Sequence, residues 1–456
     1  MTRNISYLFL TFIIGISSVL IIVILNSSVI ILFLSFFMIT TIFFLGKKEK
    51  VFDILEPFVL IFFVYIFTFI IPGFFSLQSK ESEMERYVVI AVLYVTLSFF
   101  FFFVGYRSDI GRRLSLNLPR FKADWSRQKL LILIVIYSVI GIGGYFIAMD
   151  KVGGVDNYVS NIGKRIELTA GYGYFFQSRN FVIVANFLWF IDLITKRIIY
   201  EKRPRKIEII FYLLHLFLIL GMVGILGSRG TILQIFLCMM IARHYLVKRI
   251  TVKTFAGFLI VATLFIYLYG EFRKFSVYEY TRYDYAELKQ MVSAEEKIYR
   301  FLSSGLADGA NVVANIVCNV PSILDIQWGK TYWNVIYYPI PRSMFAAKPK
   351  TGGQILTEAL YPNEVNTYLS PNMIGEAYLN FHVIGVIAVS WMFGIFARTL
   401  YAYLRTNYGN KSVVAVCSIF LINTYLFPIN EFINVVLEFP KIGITLLALL
   451  LIKIRS

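Results

Sequence analysis

The sequence predicts an all-α integral membrane protein with about twelve transmembrane helices. Hydrophobic residues make up 58% of the 456 residues and charged residues only 16%. The mean hydropathy is +0.71, and the apolar residues fall in long runs. A run of about 20 residues crosses the roughly 30 Å hydrocarbon core of a bilayer, where backbone groups must be satisfied within a helix. We therefore expect each run to form one membrane-spanning helix.

Short loops join the first four predicted spans, and the longest connection between any two spans is 271–370. The first run has no small-residue cleavage site and continues into a second run, so we expect it to be retained. The predicted spans are residues 5–25, 29–45, 57–75, 87–104, 130–149, 180–195, 207–226, 231–246, 254–270, 378–397, 412–428 and 437–452. The chain is thus divided into nine spans over 1–270, a loop over 271–370 and three spans over 371–456.

The net charge of +17 is distributed unevenly along the predicted topology. With a cytoplasmic N-terminus, the inner segments hold most of the Lys and Arg residues, and the outer segments are close to neutral. The strongest basic segments, 107–129 and 196–206, are both on the inner side. This is the positive-inside rule, which predicts cytoplasmic N and C termini in a multi-pass membrane protein. The charge excess therefore gives no reason to expect a nucleic-acid partner.

The loop at 271–370 is the largest segment outside the predicted spans, and the topology places it on the outer side of the membrane. It carries ten basic and ten acidic residues, but the stretch 326–357 has no carboxylate. Apolar positions at helical spacing predict a surface helix over 284–302 and a second short helix over 306–319. The prolines that follow predict irregular structure. We expect a partly helical lid over a site at the outer membrane surface.

A glycine-rich junction between the seventh and eighth spans, Gly227–Thr231, predicts a hairpin that places Arg229 at the start of a helix. A buried arginine must pair with a carboxylate or hold an anion, and a helix N-terminus favours negative charge. Both interpretations of Arg229 remain open. Outer-side cations could bracket a phosphate together, because guanidinium groups bind its oxygens bidentately. The other candidates for this role are Arg179, Arg273, Arg342 and Lys348.

One carboxylate stands beside these cations, Glu376 at the start of the tenth span. It either caps the helix or pairs with an arginine, or it acts as a general base towards a sugar hydroxyl. His382, one to two turns deeper, is the alternative base. Nearby aromatic and amide side chains are candidates for sugar contacts. These candidates are Trp328, Trp333, Tyr338, Tyr378 and Asn372.

Motifs for metal or hydrolase chemistry are missing from the sequence. It contains no Asp-x-Asp, no His pair at metal spacing and no Gly-x-Ser-x-Gly. We therefore expect neither a metal site nor a cofactor, and no serine hydrolase.

Three short motifs resemble the bacterial oligosaccharide repeat-unit polymerases, the O-antigen polymerase (Wzy) family. They are Gly-Ser-Arg-Gly-Thr at 227–231, Ile-Pro-Arg with Lys-Pro at 340–349, and Gly-Glu-Ala-Tyr-Leu-Asn-Phe at 375–381. The resemblance covers the seventh to tenth spans and the layout of about a dozen spans with one large periplasmic loop. Such sequences often carry Gly after Asn-Phe, where this chain has His382.

The resemblance implies a GT-C-like glycosyltransferase that joins undecaprenyl-pyrophosphate-linked repeat units into O-antigen or a similar polysaccharide at the periplasmic face of the cytoplasmic membrane. Arg229, Arg273 and Arg342 would then hold the pyrophosphate of the growing chain. Glu376 or His382 would deprotonate a hydroxyl of the incoming unit, without a metal. Donor and acceptor are both lipid-linked oligosaccharides. The expected partners are membrane lipid and, in the cell, a chain-length regulator and a flippase.

Three other classes share part of this pattern. An O-antigen ligase shares the layout and the chemistry, and it would be expected to use a loop histidine, which keeps His382 relevant. A lipid-linked-oligosaccharide flippase would be expected to place charged residues within several spans, whereas only Asp192 and His215 interrupt the apolar cores. A transferase using lipid-phosphate sugars would be expected to place acidic residues in its first outer loop, here Asn-Ser-Ser at 26–28. The sequence favours the polymerase and leaves the ligase open.

Overall fold

The computed structural model describes most of the chain after residue 52, and all the secondary-structure elements named in that part are helical. The described residues are 35–36, 39–41, 53–78, 82–122, 124–169, 171–199, 204–281, 309–337, 340, 344–345, 347–362 and 368–453. Within them, nine helical segments are long and apolar enough to cross a membrane. The predicted class, an all-helical chain with many membrane-length helices, is confirmed for this part of the chain.

The helices are joined mostly by short connections, and a π-helical stretch, Ile66–Ile70, links the first two. In chain order they are α1 Pro57–Tyr65, α2 Ile71–Gln78, α3 Ser82–Arg107, α4 Asp109–Leu116, α5 Arg127–Lys151, α6 Gly154–Ser160, α7 Arg165–Leu168, α8 Gly173–Gln177, α9 Arg179–Ile199, α10 Lys206–Ile225, α11 Arg229–Leu246, α12 Val252–Thr281, α13 Gly309–Asn319, α14 Lys330–Tyr337, α15 Gly352–Leu360, α16 Asn372–Thr406, α17 Lys411–Leu426, α18 Phe432–Val436 and α19 Phe439–Ile452.

Nine of the predicted spans coincide with membrane-length helical segments. The eighth, predicted at 231–246, forms α11, but this helix of 18 residues is not among the nine. Its polar ends, including Arg243 and His244 in the last turn, lower its hydropathy. The first two predicted spans, 5–25 and 29–45, lie outside the described residues except for a few positions in the second.

The junction between α10 and α11 has the predicted hairpin form. Gly227 adopts φ +70°, a left-handed conformation that glycine tolerates best, and α11 begins two residues later.

The long loop is more helical than its prolines predict. The predicted helix at 306–319 is confirmed as α13 from Gly309 onward, whereas the predicted helix at 284–302 lies outside the described residues. The expectation of irregular structure after α13 is wrong for α14 and α15. A capping box begins α15: Thr351 Oγ1 accepts from Gln354 N at 3.2 Å, and Gln354 Oε1 accepts from Thr351 N at 3.0 Å.

The chain forms two compact units, each built from separate stretches of sequence. The first unit comprises residues 1–117, 293–402 and 424–436. The second unit comprises residues 118–292, 403–423 and 437–456. The site residues predicted around Glu376 belong to the first unit, and Arg179 and Arg229 belong to the second.

Reciprocal glycines let α3 and α16 cross closely in the first unit. A Cβ on Gly105 would lie 2.1 Å from Trp391 O, and a Cβ on Gly394 would lie 2.1 Å from Phe102 O. Either distance is far below van der Waals contact, so only glycine fits at both positions. Small residues of this kind are how membrane helices approach each other, because lipid provides no hydrophobic force between them.

A polar chain beside this crossing joins three helices of the first unit. Ser98 Oγ on α3 lies 2.7 Å from Ser390 Oγ on α16 and 2.7 Å from Tyr65 OH on α1. All three side chains are buried. Their hydroxyl groups therefore satisfy one another in an apolar surrounding, where an unpaired hydroxyl would cost free energy.

Ion pairs tie together one end of the helices in the second unit. Asp192 on α9 accepts a hydrogen bond from Trp125 Nε1 at 3.3 Å and lies 3.6 Å from Arg127 Nε. Arg127 also pairs with Glu208 of α10, which accepts from Lys196 Nζ at 2.6 Å. The acidic residue that interrupts the sixth predicted span is thus paired with the basic residues next to it.

The opposite ends of the same helices carry an apolar cluster. Tyr145 and Met149 of α5, Tyr158 of α6, Phe176 of α8 and Met222 of α10 are buried against one another. The connection between α5 and α9 is therefore packed onto the bundle. In the second unit, the helix ends predicted to be cytoplasmic meet at the ion pairs, and those predicted to be periplasmic meet at this cluster.

The glycine crossing gives a direct stability test. We expect Gly394→Ala to lower the free energy of unfolding by about 1–3 kcal/mol, because the new methyl group overlaps the Phe102 carbonyl. Gly443→Ala in α19 is the matched control, since no atom lies within 4 Å of its added Cβ. Thermal unfolding in detergent measures both variants. A Gly394→Ala protein as stable as the control would show that the close crossing is absent.

Candidate functional site

The site in the first unit begins with a break in α16. The helix has 35 residues, a length of about 52 Å if it were straight. It is interrupted at Phe381 (φ −140°, ψ 20°) and His382 (φ 57°, ψ −149°). The chain bends so far that a Cβ on Gly385 would lie 2.1 Å from Ala377 O. The first nine residues of α16 are thus a separate short helix that carries Glu376.

The backbone next to the break binds the segment before α14. Leu379 O accepts a hydrogen bond from Gln327 N at 3.0 Å, and Asn380 O accepts from Trp328 N at 3.1 Å. In an unbroken helix these carbonyls would be used by residues one turn further on. The break therefore turns the end of the short helix into a docking point for the loop.

Asn380 fixes the same segment through its side chain. Its Oδ1 accepts from Gly329 N at 2.9 Å, and its Nδ2 donates to Thr331 Oγ1 at 2.7 Å and to Glu376 O at 2.8 Å. Gly329 has φ +87°, and a Cβ there would lie 3.0 Å from the Phe381 ring. A glycine is therefore needed at 329 for the loop to reach Asn380.

Glu376 is sealed inside this arrangement, with 1% of its surface exposed. Its Oε1 accepts from Thr331 Oγ1 at 2.7 Å, and its Oε2 accepts from Phe432 N at 2.6 Å. These contacts bring α14 and α18 together on the carboxylate. Among the described residues, no Lys or Arg pairs with Glu376. The expectation of an arginine partner thus finds no support in the described part of the chain.

A second buried carboxylate, Glu431, lies beside Glu376 and was missed from the sequence. It has 0% exposure, and it accepts hydrogen bonds from Gly353 N at 2.9 Å and from the Tyr368 hydroxyl. Burial raises the pKa of the Glu431 carboxyl above its usual range, and hydrogen bonds from Tyr368 and Gly353 offset part of that rise. Glu431 is part of the short connection between the last two spans, and nothing in its local sequence distinguishes it.

Gly352 separates the two carboxylates. A Cβ built on this residue would lie 3.2 Å from Glu431 Oε2 and 3.8 Å from Glu376 Cγ. The first residue of α15 therefore lies against both acids, and a larger residue would press on both. The negative charge of Glu431 acts directly on the Glu376 carboxylate at this separation.

Two buried polar groups beside the acids have no hydrogen-bond partner among the described residues. They are the Tyr332 hydroxyl and the side-chain amide of Asn334, which is 0% exposed. Burial raises the pKa of Tyr332, and the charge of Glu376 raises it further. Thr331, Tyr332 and Asn334 all belong to α14, so the helix that binds Glu376 also carries unused polar atoms. Buried groups of this kind usually bind water or a ligand.

Exposed aromatic rings surround this buried centre. Trp328 is 71% exposed with φ +49°, and Trp333 is 64% exposed. The Phe381 ring, also exposed, stacks with Tyr332 at a centroid distance of 6.4 Å. The structure thus brings two of the predicted sugar-contacting residues together on the segment that is anchored to Glu376. Tyr338, a third, lies outside the described residues.

The other two predicted sugar contacts, Asn372 and Tyr378, are buried at 3% exposure each. Asn372 Oδ1 caps α16 by accepting from Ile374 N at 3.1 Å and Gly375 N at 3.0 Å. Tyr378 packs between Tyr94 and His382, with ring centroids 5.2 and 4.3 Å away. In this conformation both side chains support the short helix, and their contact with a sugar stays a prediction.

His382, the alternative base, is partly exposed at the break. Its φ of +57° with ψ of −149° is a conformation that glycine adopts readily and other residues adopt at a cost. This is the position where the family that the sequence resembles often carries Gly. His382 therefore holds a backbone conformation that a glycine would adopt without strain.

The predicted cations of the second unit lie at helix starts. Arg179 begins α9 and Arg229 begins α11. The Arg179 Nε atom is buried without a hydrogen-bond partner among the described residues, and its charge acts on Glu438 and Tyr158. Arg229 is partly buried, and no ion pair links it to a described carboxylate.

A cavity lies within the second unit, lined by residues within 183–187 of α9, 231–238 of α11, 419–423 of α17 and 438–441 at the start of α19. Its walls are largely apolar, and Lys441 and Asn423 supply polar atoms. Lys441 Nζ donates to Gln234 Oε1 at 3.1 Å and pairs with Glu438. The Asn423 amide nitrogen is buried without a partner among the described residues. Lys441 was not among the phosphate-binding cations predicted from the sequence.

For the other three predicted cations, the structure gives little or no side-chain geometry. The side chain of Arg273 and all of Arg342 lie outside the described residues. Lys348 is described, and its Nζ donates to Ile340 O at 3.2 Å. Its role towards pyrophosphate stays a prediction. No group of three or more His, Cys, Asp or Glu side chains within the described ranges could hold a metal ion.

The site and fold define a helical protein with membrane-length helices and a buried pair of acids. No protein-family model matches the chain, and no curated protein or solved structure matches it either.

The Thr331–Glu376 hydrogen bond carries a testable stability contribution. We expect Thr331→Val to lower the free energy of unfolding by about 1–3 kcal/mol, because both Glu376 Oε1 and Asn380 Nδ2 lose a buried partner. Thr331→Ser keeps the hydroxyl and serves as the control. Thermal unfolding in detergent compares them. Equal losses in the two variants would show that the methyl group, and not the hydrogen bond, stabilises the site.

Proposed function

We propose that the protein is an oligosaccharide repeat-unit polymerase, joining undecaprenyl-pyrophosphate-linked units into O-antigen or a similar polysaccharide at the periplasmic face of the bacterial cytoplasmic membrane. The observation that carries the proposal is the construction of the first unit around Glu376. A buried carboxylate, unpaired with any described cation, anchors a segment with exposed Trp328 and Trp333. Aromatic faces bind sugars, and a carboxylate accepts a proton from a sugar hydroxyl.

The proposed reaction needs no metal or cofactor. The acceptor O–H bond breaks as its proton passes to a base, and the oxygen forms a bond to the anomeric carbon of the donor. The bond from that carbon to pyrophosphate breaks, and its electron pair leaves with the phosphate. Glu376 or His382 is the base. Arg229 and Arg179, with Arg273 and Arg342, hold the growing negative charge.

The second unit supports a lipid-linked donor. Its cavity has apolar walls for an isoprenoid chain, and Lys441 is the cation in its lining. Helix N-termini and guanidinium groups both favour phosphate. Arg179 and Arg229 begin α9 and α11, two of the helices that line the cavity, and Lys441 joins them as a candidate for this role. The Asn423 amide nitrogen in the cavity and Arg179 Nε at the start of α9 have no hydrogen-bond partner within the described residues.

The geometry also bears on the alternatives. A flippase would need charged groups lining a route through the spans. Asp192 is ion-paired at one end of the second unit, and His215 is hydrogen-bonded to Ser138 at 2.9 Å and Asn186 at 3.0 Å. An O-antigen ligase remains the second candidate, because the strained His382 has the accessibility that a histidine base needs.

Deletion of the gene and glycan analysis test the polymerase. We expect loss of long polymer while single repeat units still reach the cell surface. Expression of the wild-type chain should restore polymer, and Glu376→Gln, Arg229→Ala or Arg179→Ala should each reduce it at least about tenfold. Arg243→Ala, at the other end of α11, is the control and should restore it fully. If lipid-linked polymer accumulated without transfer, the protein would be a ligase. If lipid-linked units were retained on the inner face of the membrane, it would be a flippase.

Because His382 has a strained backbone conformation, its replacement by glycine can remove the imidazole without destabilising the fold. We expect His382→Gly to unfold at the same temperature as wild type or higher, because glycine adopts the positive φ without strain. If the imidazole takes part in the reaction, the same variant should lose polymer formation at least about a hundredfold. Full activity in a stable His382→Gly protein would exclude His382 as the base and leave Glu376 in that role.

A further inference from the structure

A second carboxylate, Glu431, lies beside Glu376 in the first unit. It can also accept the proton that the transfer reaction releases. We propose that Glu376 and Glu431 hold one proton between them and that the Tyr368 hydroxyl exchanges this proton with solvent. The pair, rather than Glu376 alone, is then the base of the transfer reaction. Its role as a base rests on the proposed function, whereas the shared proton does not.

The two carboxylates have matching surroundings. Each accepts one hydrogen bond from a hydroxyl group and one from a backbone N–H. For Glu376 the donors are Thr331 and the Phe432 amide, and for Glu431 they are Tyr368 and the Gly353 amide. The charge of Glu431 acts on Glu376, so the protonation of one acid affects the protonation of the other.

The two buried carboxylates have no cationic partner among the described residues, so one of them is expected to carry a proton. Both acids are buried, at 1% and 0% exposure, and Gly352 lies against both of them. Within the described part of the chain, neither makes an ion pair with Lys or Arg. Two adjacent carboxylates without a cation cannot both ionise at ordinary cost, so one retains its proton.

Among the described residues, the titratable groups that face the pair are tyrosines. Tyr332 on α14 lies in the field of Glu376, and Tyr368 is hydrogen-bonded to Glu431. Burial raises the pKa of Tyr368, and the Glu431 charge raises it further. Both phenols are therefore neutral at physiological pH, and the pair is the group that titrates. The Lys350–Glu358 ion pair at the start of α15 is exposed and makes no bond to either acid.

Tyr368 connects the buried pair to the surface. It is 42% exposed, its hydroxyl donates to Glu431 Oε1, and Thr351 Oγ1 lies 2.9 Å from the same hydroxyl. A hydroxyl bonded on both sides can donate to one neighbour while accepting from the other. A proton leaves Glu431 when the carboxyl donates it to the Tyr368 oxygen while Tyr368 gives its own hydroxyl proton to Thr351 Oγ1 or to water at the exposed ring.

The unpartnered groups on α14 indicate where a reacting hydroxyl would bind. The Tyr332 hydroxyl and the buried Asn334 amide lack partners among the described residues, and both follow Thr331 on the same helix. An acceptor sugar hydroxyl can use these atoms as it approaches Glu376. Its proton passes to the pair as its oxygen bonds to the anomeric carbon. The proton then leaves through Tyr368 to water while the pyrophosphate departs with the electron pair.

Infrared titration of the purified protein in detergent tests the shared proton without any substrate. We expect the carboxylic acid absorption of the pair to disappear in two separate steps as pH rises, with the upper step well above the ordinary glutamate value. Glu431→Gln and Glu376→Gln should each leave a single step, moved down from the upper one by about 1–2 pH units, because the neighbouring charge is gone. Glu358→Gln is the exposed control and should change neither step.

The stability of the protein should depend on pH through the same shared proton. The folded state binds the shared proton more tightly than the unfolded state does. The contribution of this proton to the free energy of unfolding is therefore complete below the ordinary glutamate pKa of about 4.3, and it is lost as pH rises through the raised pKa of the folded protein. We expect unfolding temperature to fall as pH rises above that value. The fall should be smaller in Glu431→Gln. If that variant does not fold, the wild-type titration and Tyr368→Phe still decide the proposal.

Tyr368→Phe tests the exchange route. We expect both titration steps to persist, and turnover of lipid-linked substrate to fall roughly tenfold with unchanged KM, since only proton exchange is removed. A single carboxyl step near the ordinary value in wild type would overturn the shared proton. Unchanged turnover in Tyr368→Phe would overturn the exchange route. Two steps in a protein without polymerase activity would keep the shared proton and reject the proposed function.

Discussion

The break in α16 at Phe381 and His382 is the constraint on which the candidate site depends. A straight helix of this length would use its own carbonyls at 379 and 380, and nothing would hold the loop before α14. With the break, those carbonyls and the Asn380 amide bind residues 327–329. The same docking places Thr331 on Glu376. Backbone geometry at two residues thus brings an exposed aromatic segment and a buried acid into one site.

The acids of the candidate site differ in their partners from the ion-paired acids of the second unit. In the second unit, the buried Asp192 and the partly buried Glu208 and Glu438 each pair with a Lys or Arg side chain. In the first unit, Glu376 and Glu431 have only neutral donors among the described residues. Neutral donors stabilise a carboxylate less than a cation does, so these acids bind protons at higher pH. This difference points to chemistry at the first pair and to structure at the others.

Sequence patterns predicted the helices well because hydropathy acts over about 20 residues at a time. Glu376 was found because it is a carboxylate at the start of a predicted span, beside the outer-side cations. Glu431 was missed because its burial depends on Gly353 and Tyr368, which approach it from distant parts of the chain. The capping box that begins α15 was readable as Thr-x-x-Gln, but the surrounding prolines concealed it. Contacts between remote segments have no local signature, and the site consists mainly of such contacts.

The sealed state of Glu376 is compatible with a reaction on sugar hydroxyls. The groups that close the pair are themselves hydroxyls, Thr331 on one acid and Tyr368 on the other. A sugar hydroxyl that replaces either one restores the same hydrogen bond, so entry leaves no buried oxygen unpaired. Water could replace them equally well, but exposed Trp328 and Trp333 favour a ligand with apolar faces. Selectivity would then come from the aromatic surface and reactivity from the acids beneath it.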